Sequence, residues 1–181
     1  MSILKIARMG HPVLRARARA LEPGEIATPR VQQLIDDLIV TMREYQGVGL
    51  AAPQVHETVR VFVAAIGGED EEPNDGEPAL VIVNPEIRPV GPQVIEDWEG
   101  CLSIPEVRGK VPRAAEIQVR GYDRLGEAIS LHASDFAARV IQHETDHLDG
   151  VLFLDRMRSF ETLTFLEEYS RYWSKVDTPP E

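Results

Sequence analysis

Two stretches of the chain carry apolar residues at helical spacing. In the first, Val31, Leu34, Ile35, Leu38, Ile39, Met42 and Tyr45 recur every three or four positions, behind Thr28 as N-cap and Pro29 at the first helical position. In the second, Phe136, Val140, His143 and His147 fall at i, i+4, i+7 and i+11, one continuous face that is apolar except for its imidazoles. Ser134 and Asp135 are good helix starters and Gly150 a good stop, so this helix is expected from Asp135 to about Leu148, with both imidazoles facing the core. Between the two helices, residues 61–66, 80–84, 94–98, 117–122 and 128–132 read as short strands. The last two are joined as a hairpin through Asp123-Arg124-Leu125-Gly126-Glu127. The order helix, several strands, helix predicts an α+β fold: one compact domain of mainly antiparallel strands packed around a central helix, the one that carries the imidazoles.

Near the end, Leu163, Leu166 and Trp173, with Phe165, Tyr169 and Tyr172 nearby, predict a final amphipathic helix that packs on the body. The chain is thus expected to divide into residues 1–159 as the main body and 160–181 as a C-terminal helix and tail packed on the same domain. Its 181 residues suffice for one substantial core and leave little room for two. Residues 67–78 hold six carboxylates, two prolines and no large apolar side chain, so they read as an exposed, mobile loop. The ordered ligand spacing of a calcium hand is absent from that loop.

Charge narrows the function classes. Lysine and arginine number 19 against 30 acidic residues, a formal net charge of -11, which disfavours nonspecific nucleic-acid binding. Lys5, Arg8, Arg15, Arg17 and Arg19 give the first twenty residues a local positive balance, but the segment is too poor in serine to be a presequence. No apolar run reaches the length of a signal peptide or membrane span, and a cytoplasmic protein without membrane contact is expected.

The chemistry sits in Gln142-His143-Glu144-Thr145-Asp146-His147. On a helix this spacing places two imidazoles one turn apart on one face, where they can bind one metal ion beside a carboxylate general base. Buried imidazoles need a partner for each ring nitrogen, and a metal on one with an acceptor on the other supplies both. A catalytic divalent ion of this kind usually takes three protein ligands and keeps a position for water. Cys101, the only cysteine, cannot form an internal disulfide. Its bland reading is a small buried hydrophobe; its thiolate would also complete a His-His-Cys set suited to a borderline ion. The surrounding Glu99-Gly100-Cys101-Leu102-Ser103-Ile104-Pro105 shows little helical or strand periodicity.

Three motifs now stand in order: Gly47-Val48-Gly49-Leu50-Ala51-Ala52-Pro53-Gln54, Glu99-Gly100-Cys101-Leu102-Ser103, and Gln142-His143-Glu144 through His147. Together they closely resemble the bacterial-type peptide deformylase family, and the likeness runs from about Gly10-His11-Pro12-Val13-Leu14-Arg15 to about Leu154. The resemblance implies hydrolysis of the formyl group from the N-terminal formyl-methionine of nascent polypeptides, with release of formate. It implies Cys101, His143 and His147 as metal ligands, Glu144 as general acid and base, and Gln54 with the Leu102 backbone N–H as oxyanion donors. It also implies that the Gly49 backbone bonds an extended peptide, that Val48, Val140 and the stem of Arg139 border the methionine pocket, and that Arg108 meets the peptide beyond it.

The implied cofactor is one divalent ion, Fe2+ preferred on family grounds, while the ligand set equally accepts Zn2+, Ni2+ or Co2+. Asp146 and Glu99 are candidates to orient a ligand or to pair with an arginine such as Arg113. The resemblance leaves room for a transient ribosome contact, but not one through residues 160–181, because Glu161, Glu167, Glu168, Asp177 and Glu181 stand against only Arg171 and Lys175 there. Three rivals remain: a metallopeptidase of the His-Glu-x-x-His type, in which the glycine and cysteine motifs are not expected; a structural zinc module, which would usually close its fourth position with another Cys or His where no second cysteine exists; and a noncatalytic formyl-peptide binder, which the presence of Glu144 disfavours.

Overall fold

The computed structural model describes residues 1–66 and 79–174. The acidic loop read at 67–78 and the last residues of the tail lie outside that range. In chain order the helices are α1 (Pro23–Ile26), α2 (Pro29–Glu44), α3 (Asp135–Leu148), α4 (Phe153–Arg156) and α5 (Leu166–Tyr172). The strands are β1 (Gly49–Ala51), β2 (Val61–Ala64), β3 (Leu80–Pro89), β4 (Val94–Cys101), β5 (Ile104–Ala114), β6 (Glu116–Tyr122), β7 (Ala128–Ser134) and β8 (Thr164–Phe165). Short 3-10 turns at Pro12–Arg15, Ala52–Val55 and Phe160–Thr162 complete the path.

Two antiparallel sheets form. One runs β1-β2-β3-β6-β7 and the other β4-β5-β8. Helices α2 and α3 cover opposite faces of the five-stranded sheet. Val61, Val63, Val81 and Val83 point toward Val31, Ile35, Leu38 and Met42 of α2, whereas Phe62, Ala64 and Ile82 point toward Ala138, Ile141 and Leu148 of α3. Strand β2 is buried at every position because both its faces are covered. Ile35, Leu38 and Met42 are fully enclosed, and enclosing each such side chain contributes about 1.5–3 kcal/mol. A third cluster, Leu14, Ile104, Val111, Leu152 and Phe153, joins the second sheet to the N-terminal segment and α4.

The expected α+β architecture holds, with α3 spanning the predicted range. Its stop is a 6→1 closure in which the Val151 N–H donates to the Asp146 carbonyl at 2.9 Å, with Gly150 at φ +74°. Its start differs from the expectation: Ser134 occupies the N-cap position but makes no side-chain cap bond, and the Asp135 N–H donates instead to the Ala115 carbonyl at 2.8 Å. The hairpin between β6 and β7 closes as read, with Asp123 Oδ1 accepting from the Leu125 and Glu127 N–H groups at 2.8 and 2.9 Å.

Three expectations need correction. The cysteine segment is not irregular: it is the end of β4, a two-residue turn and the start of β5. Strand β5 was hidden because Pro105, Gly109 and Pro112 interrupt its pattern and an arginine, Arg113, takes one of its inward positions beside Val111. The last helix begins at Leu166, since Thr164 and Phe165 instead pair with Arg108 and Val107 of β5. Phe136 does not face the core; it is 55% exposed.

Candidate active site

Helix α3 carries His143, Glu144 and His147 toward the end of β4, where Cys101 sits. The Cys101 Sγ lies 3.2 Å from His147 Nε2, and one donor atom from each of Cys101, His143 and His147 falls within 4.8 Å of the others. The two imidazoles stand edge to face, centroids 5.0 Å apart, and His143 stacks on Phe153. The Nδ1 of His143 is 2.9 Å from Glu99 Oε2, which leaves its Nε2 as the free donor.

The three groups act strongly on one another. Burial raises the Cys101 thiol, but His147 and His143 outweigh it and hold the group well below its ordinary range, which favours the thiolate. Burial works in the opposite sense on His143, and its contacts with Cys101 and Glu99 outweigh it, raising the imidazole well above its usual value. A thiolate and two imidazoles, all directed at one point in a buried site, fit a borderline divalent ion.

Glu144 lies beside Cys101, His143 and His147, buried at 4% exposure. Burial pushes its carboxyl up to about 7, against the pull of the two imidazoles. Its Oε2 has no hydrogen-bond partner among the described residues. One of its faces is closed by Gly49, where an added Cβ would lie 2.3 Å from Glu144 Oε1. The glycine motif is therefore explained by close approach. Gly47 meets the same kind of limit, with Leu102 Cδ1 2.8 Å from an added Cβ; the left-handed residue that ends α2 is Gln46, at φ 53°, not Gly47.

Gln54 is held by both ends of its amide. Its Oε1 accepts the Ala51 N–H at 2.8 Å, which turns Nε2 toward Cys101 Sγ at 3.6 Å and Ser103 Oγ at 3.3 Å. Ser103 closes the other side, its N–H donating to Cys101 Sγ at 3.4 Å. Leu102 lies between them in the β4–β5 turn, half-buried.

A buried charge network supports the ligands. Arg113 donates to Glu99 at 2.8 and 3.0 Å and to Asp146 at 2.5 Å. Arg156 reaches Asp146 from the surface side at 2.7 Å. Both carboxylates thus pair with Arg113, and Glu99 also orients a histidine. The guanidinium of Arg139 is committed to structure, donating to Glu99 at 2.8 Å and to the carbonyls of Val111 and Ile95, each at 2.8 Å. This clamp ties α3 to the second sheet.

The site opens into a cavity of about 840 Å³. Val48, Gly49, Arg108, Arg139 and Val140 all line it with Cys101, His143 and Glu144. His147 closes the site from behind, at 1% exposure. Sequence reasoning left out Phe136, Trp98 and Leu166 as cavity residues; Phe136 had been placed in the core by its spacing, and no motif marked the other two.

Comparison with known proteins is consistent along the chain. The pattern that defines the polypeptide deformylase family matches residues 3–162. Peptide deformylase 2 of Nostoc sp. is 43% identical over 175 residues, covering 96% of each chain. A class I type b peptide deformylase structure from Acinetobacter baumannii superposes with a TM-score of 0.80 at 38% identity, covering 87% of this chain and 100% of that one. Another structure of that enzyme, bound to Met-Ala-Ser, gives 0.78 at 38% identity and covers 86% of this chain and 99% of its own.

Proposed function

The chain belongs to the polypeptide deformylase family, and we propose that Cys101, His143 and His147 hold its metal ion while Glu144 moves the proton. The reaction is hydrolysis of the N-terminal formyl-methionine formamide to formate and a free amine. When bound, a divalent ion supplies Lewis acidity to the formyl oxygen and to water, making hydroxide accessible near neutral pH. Ferrous iron is the ion we assign on family grounds; zinc, nickel and cobalt suit the same donors.

The observation that carries this reading is Glu144: a buried carboxyl raised to about 7, with an unpartnered oxygen, next to the three ligand atoms. A group with that proton affinity can take the proton of the attacking water and deliver it to the amine, which would otherwise leave as an unstable anion. Charge that collects on the formyl oxygen meets Gln54 Nε2, whose direction is fixed by the Ala51 bond, and the Leu102 N–H. The extended peptide bonds to the Gly49 backbone, its methionine side chain lies against Val48, Val140 and the stem of Arg139, and Arg108 meets the residues beyond. The glycines let the peptide main chain come close to the site.

We assign the protein to the cytoplasm because its substrates, formylated nascent chains, emerge from ribosomes there. Among the described residues no helix is long and apolar enough to cross a membrane. In the described part of the tail, Arg171 is paired with Glu167 and Glu168, so we assign no ribosome contact to it. Formate release from formyl-Met-Ala-Ser, run beside an internal-peptide-bond substrate, tests the reading. Formate without internal cleavage is expected; internal cleavage without formate would make it a peptidase.

A further inference from the structure

Part of the cavity wall comes from the N-terminal segment, which contributes Lys5, Ile6 and Arg8. That segment is held at three points. The Leu4 N–H donates to Thr41 Oγ1 of α2 at 2.9 Å, the Ala7 N–H to the Gln54 carbonyl at 2.7 Å, and the Met9 N–H to the Ser103 carbonyl at 2.8 Å. Arg8 is thus carried on backbone anchored to both residues that flank Cys101 Sγ.

The positive charge at this wall is uncompensated. Further along the same segment Arg15, Arg17 and Arg19 pair with Asp155, Asp149 and Glu25. Lys5 and Arg8 are exposed, and among the described residues neither meets a carboxylate. The other charged groups of the cavity do not cancel them. Glu106 and Arg108, two residues apart on β5, offset each other in sign. Glu99 and Glu144 are buried rather than at the mouth, and Glu99 is already taken up by Arg113 and Arg139.

The chain as a whole carries a net charge of -11. Charges are screened over about 10 Å at 0.1 M salt, so a peptide that enters the cavity responds to the two near cations more than to the distant acidic surface. A cleft lined by one sign of charge concentrates ligands of the other sign.

We propose that Lys5 and Arg8 select substrates by charge, taking formylated chains with acidic side chains just after the methionine in preference to basic ones. Both are specificity-determining residues, and the inference rests on the deformylase reading. Because the contact is open to solvent, the discrimination is that of an exposed ion pair, about threefold. Salt removes it, since the screening length falls to about 3 Å at 1 M.

The test compares kcat/KM for C-terminally amidated formyl-Met-Ala-Xaa-Xaa, with Xaa as Glu, Gln or Lys, at low and high salt. Amidation removes a terminal carboxylate that would itself meet the cations. Full-length, metal-loaded wild type is run beside Lys5→Gln with Arg8→Gln, Lys5→Glu with Arg8→Glu, and Arg17→Gln, which alters a charge that does not line the cavity. At low salt the wild type should favour Glu over Gln about threefold and Gln over Lys by a similar factor. The double glutamine variant should bring both ratios close to one, the double glutamate variant should invert them, and Arg17→Gln should keep them. A wild-type preference that is absent, that survives high salt, that persists in the double glutamine variant, or that Arg17→Gln reduces equally would overturn the proposal. Absence of formate release by the wild type on every peptide would instead overturn the deformylase reading.

Discussion

Gly49 and Glu144 fit together so closely that a methyl group at residue 49 would lie 2.3 Å from the Glu144 carboxylate oxygen. A glycine on the edge strand β1 therefore fixes where the Glu144 carboxylate on α3 can stand.

Gly49→Ala should displace that carboxylate while leaving the three ligands in place. Positioned proton transfer contributes about 10²–10⁴-fold, so kcat should fall at least about tenfold with bound metal retained. Steady-state kinetics with metal analysis of the same sample checks this; wild-type kcat would show that the two residues are not coupled.

The oxyanion role of Gln54 separates from its structural role. Gln54→Ala removes the donor and also strips the buried Ala51 N–H of its acceptor. It should lower kcat by about 10²–10³-fold. It should also lose about 1–3 kcal/mol of stability in denaturant unfolding, and wild-type kcat in the folded, metal-loaded variant would contradict the oxyanion role.

How far could this have been read from residues alone? Helix α3 was legible because its glycine stop, its apolar face and its chemistry all lie within one local stretch. Cys101 was legible as a candidate ligand only through the resemblance its motif carries, because the residue alone reads equally as a small buried hydrophobe. Strand β5 was not, because Pro105, Gly109 and Pro112 mask a strand whose inward Arg113 is acceptable only with Glu99 and Asp146 already opposite it. That pairing spans distant parts of the chain, and no local pattern encodes it. Phe136 misled in the opposite way: helical spacing put it with Val140, yet α3 begins at the cavity mouth, so its first turn faces outward.

Glu99 joins His143 to Arg113, and its removal should be felt at the metal. Loss of a partner behind a ligating histidine typically costs about 10–100-fold in metal affinity, so Glu99→Gln should release its ion to a competing chelator in that proportion. Retention equal to wild type would exclude an orienting role.

The same carboxylate predicts a pH dependence. Although burial raises it, hydrogen bonds from Arg113 and His143 hold the Glu99 carboxyl at about 2, below its ordinary 4.5. Its folded value is the lower one, so its contribution to stability is complete above about 4.5 and is lost as pH falls toward 2. The melting-temperature difference between wild type and Glu99→Gln should be constant from neutral pH to about 5 and shrink below it. A difference that is flat down to pH 2 would contradict the pairing.

Glu144→Gln provides the most direct measurement of the central claim, because it keeps the shape of the side chain and removes its capacity to take a proton. Formate release from formyl-Met-Ala-Ser should fall by at least about 10²-fold, with one metal ion per chain in wild type and variant alike. Near-wild-type formate release from the metal-loaded variant would contradict the assignment of Glu144 as the proton carrier.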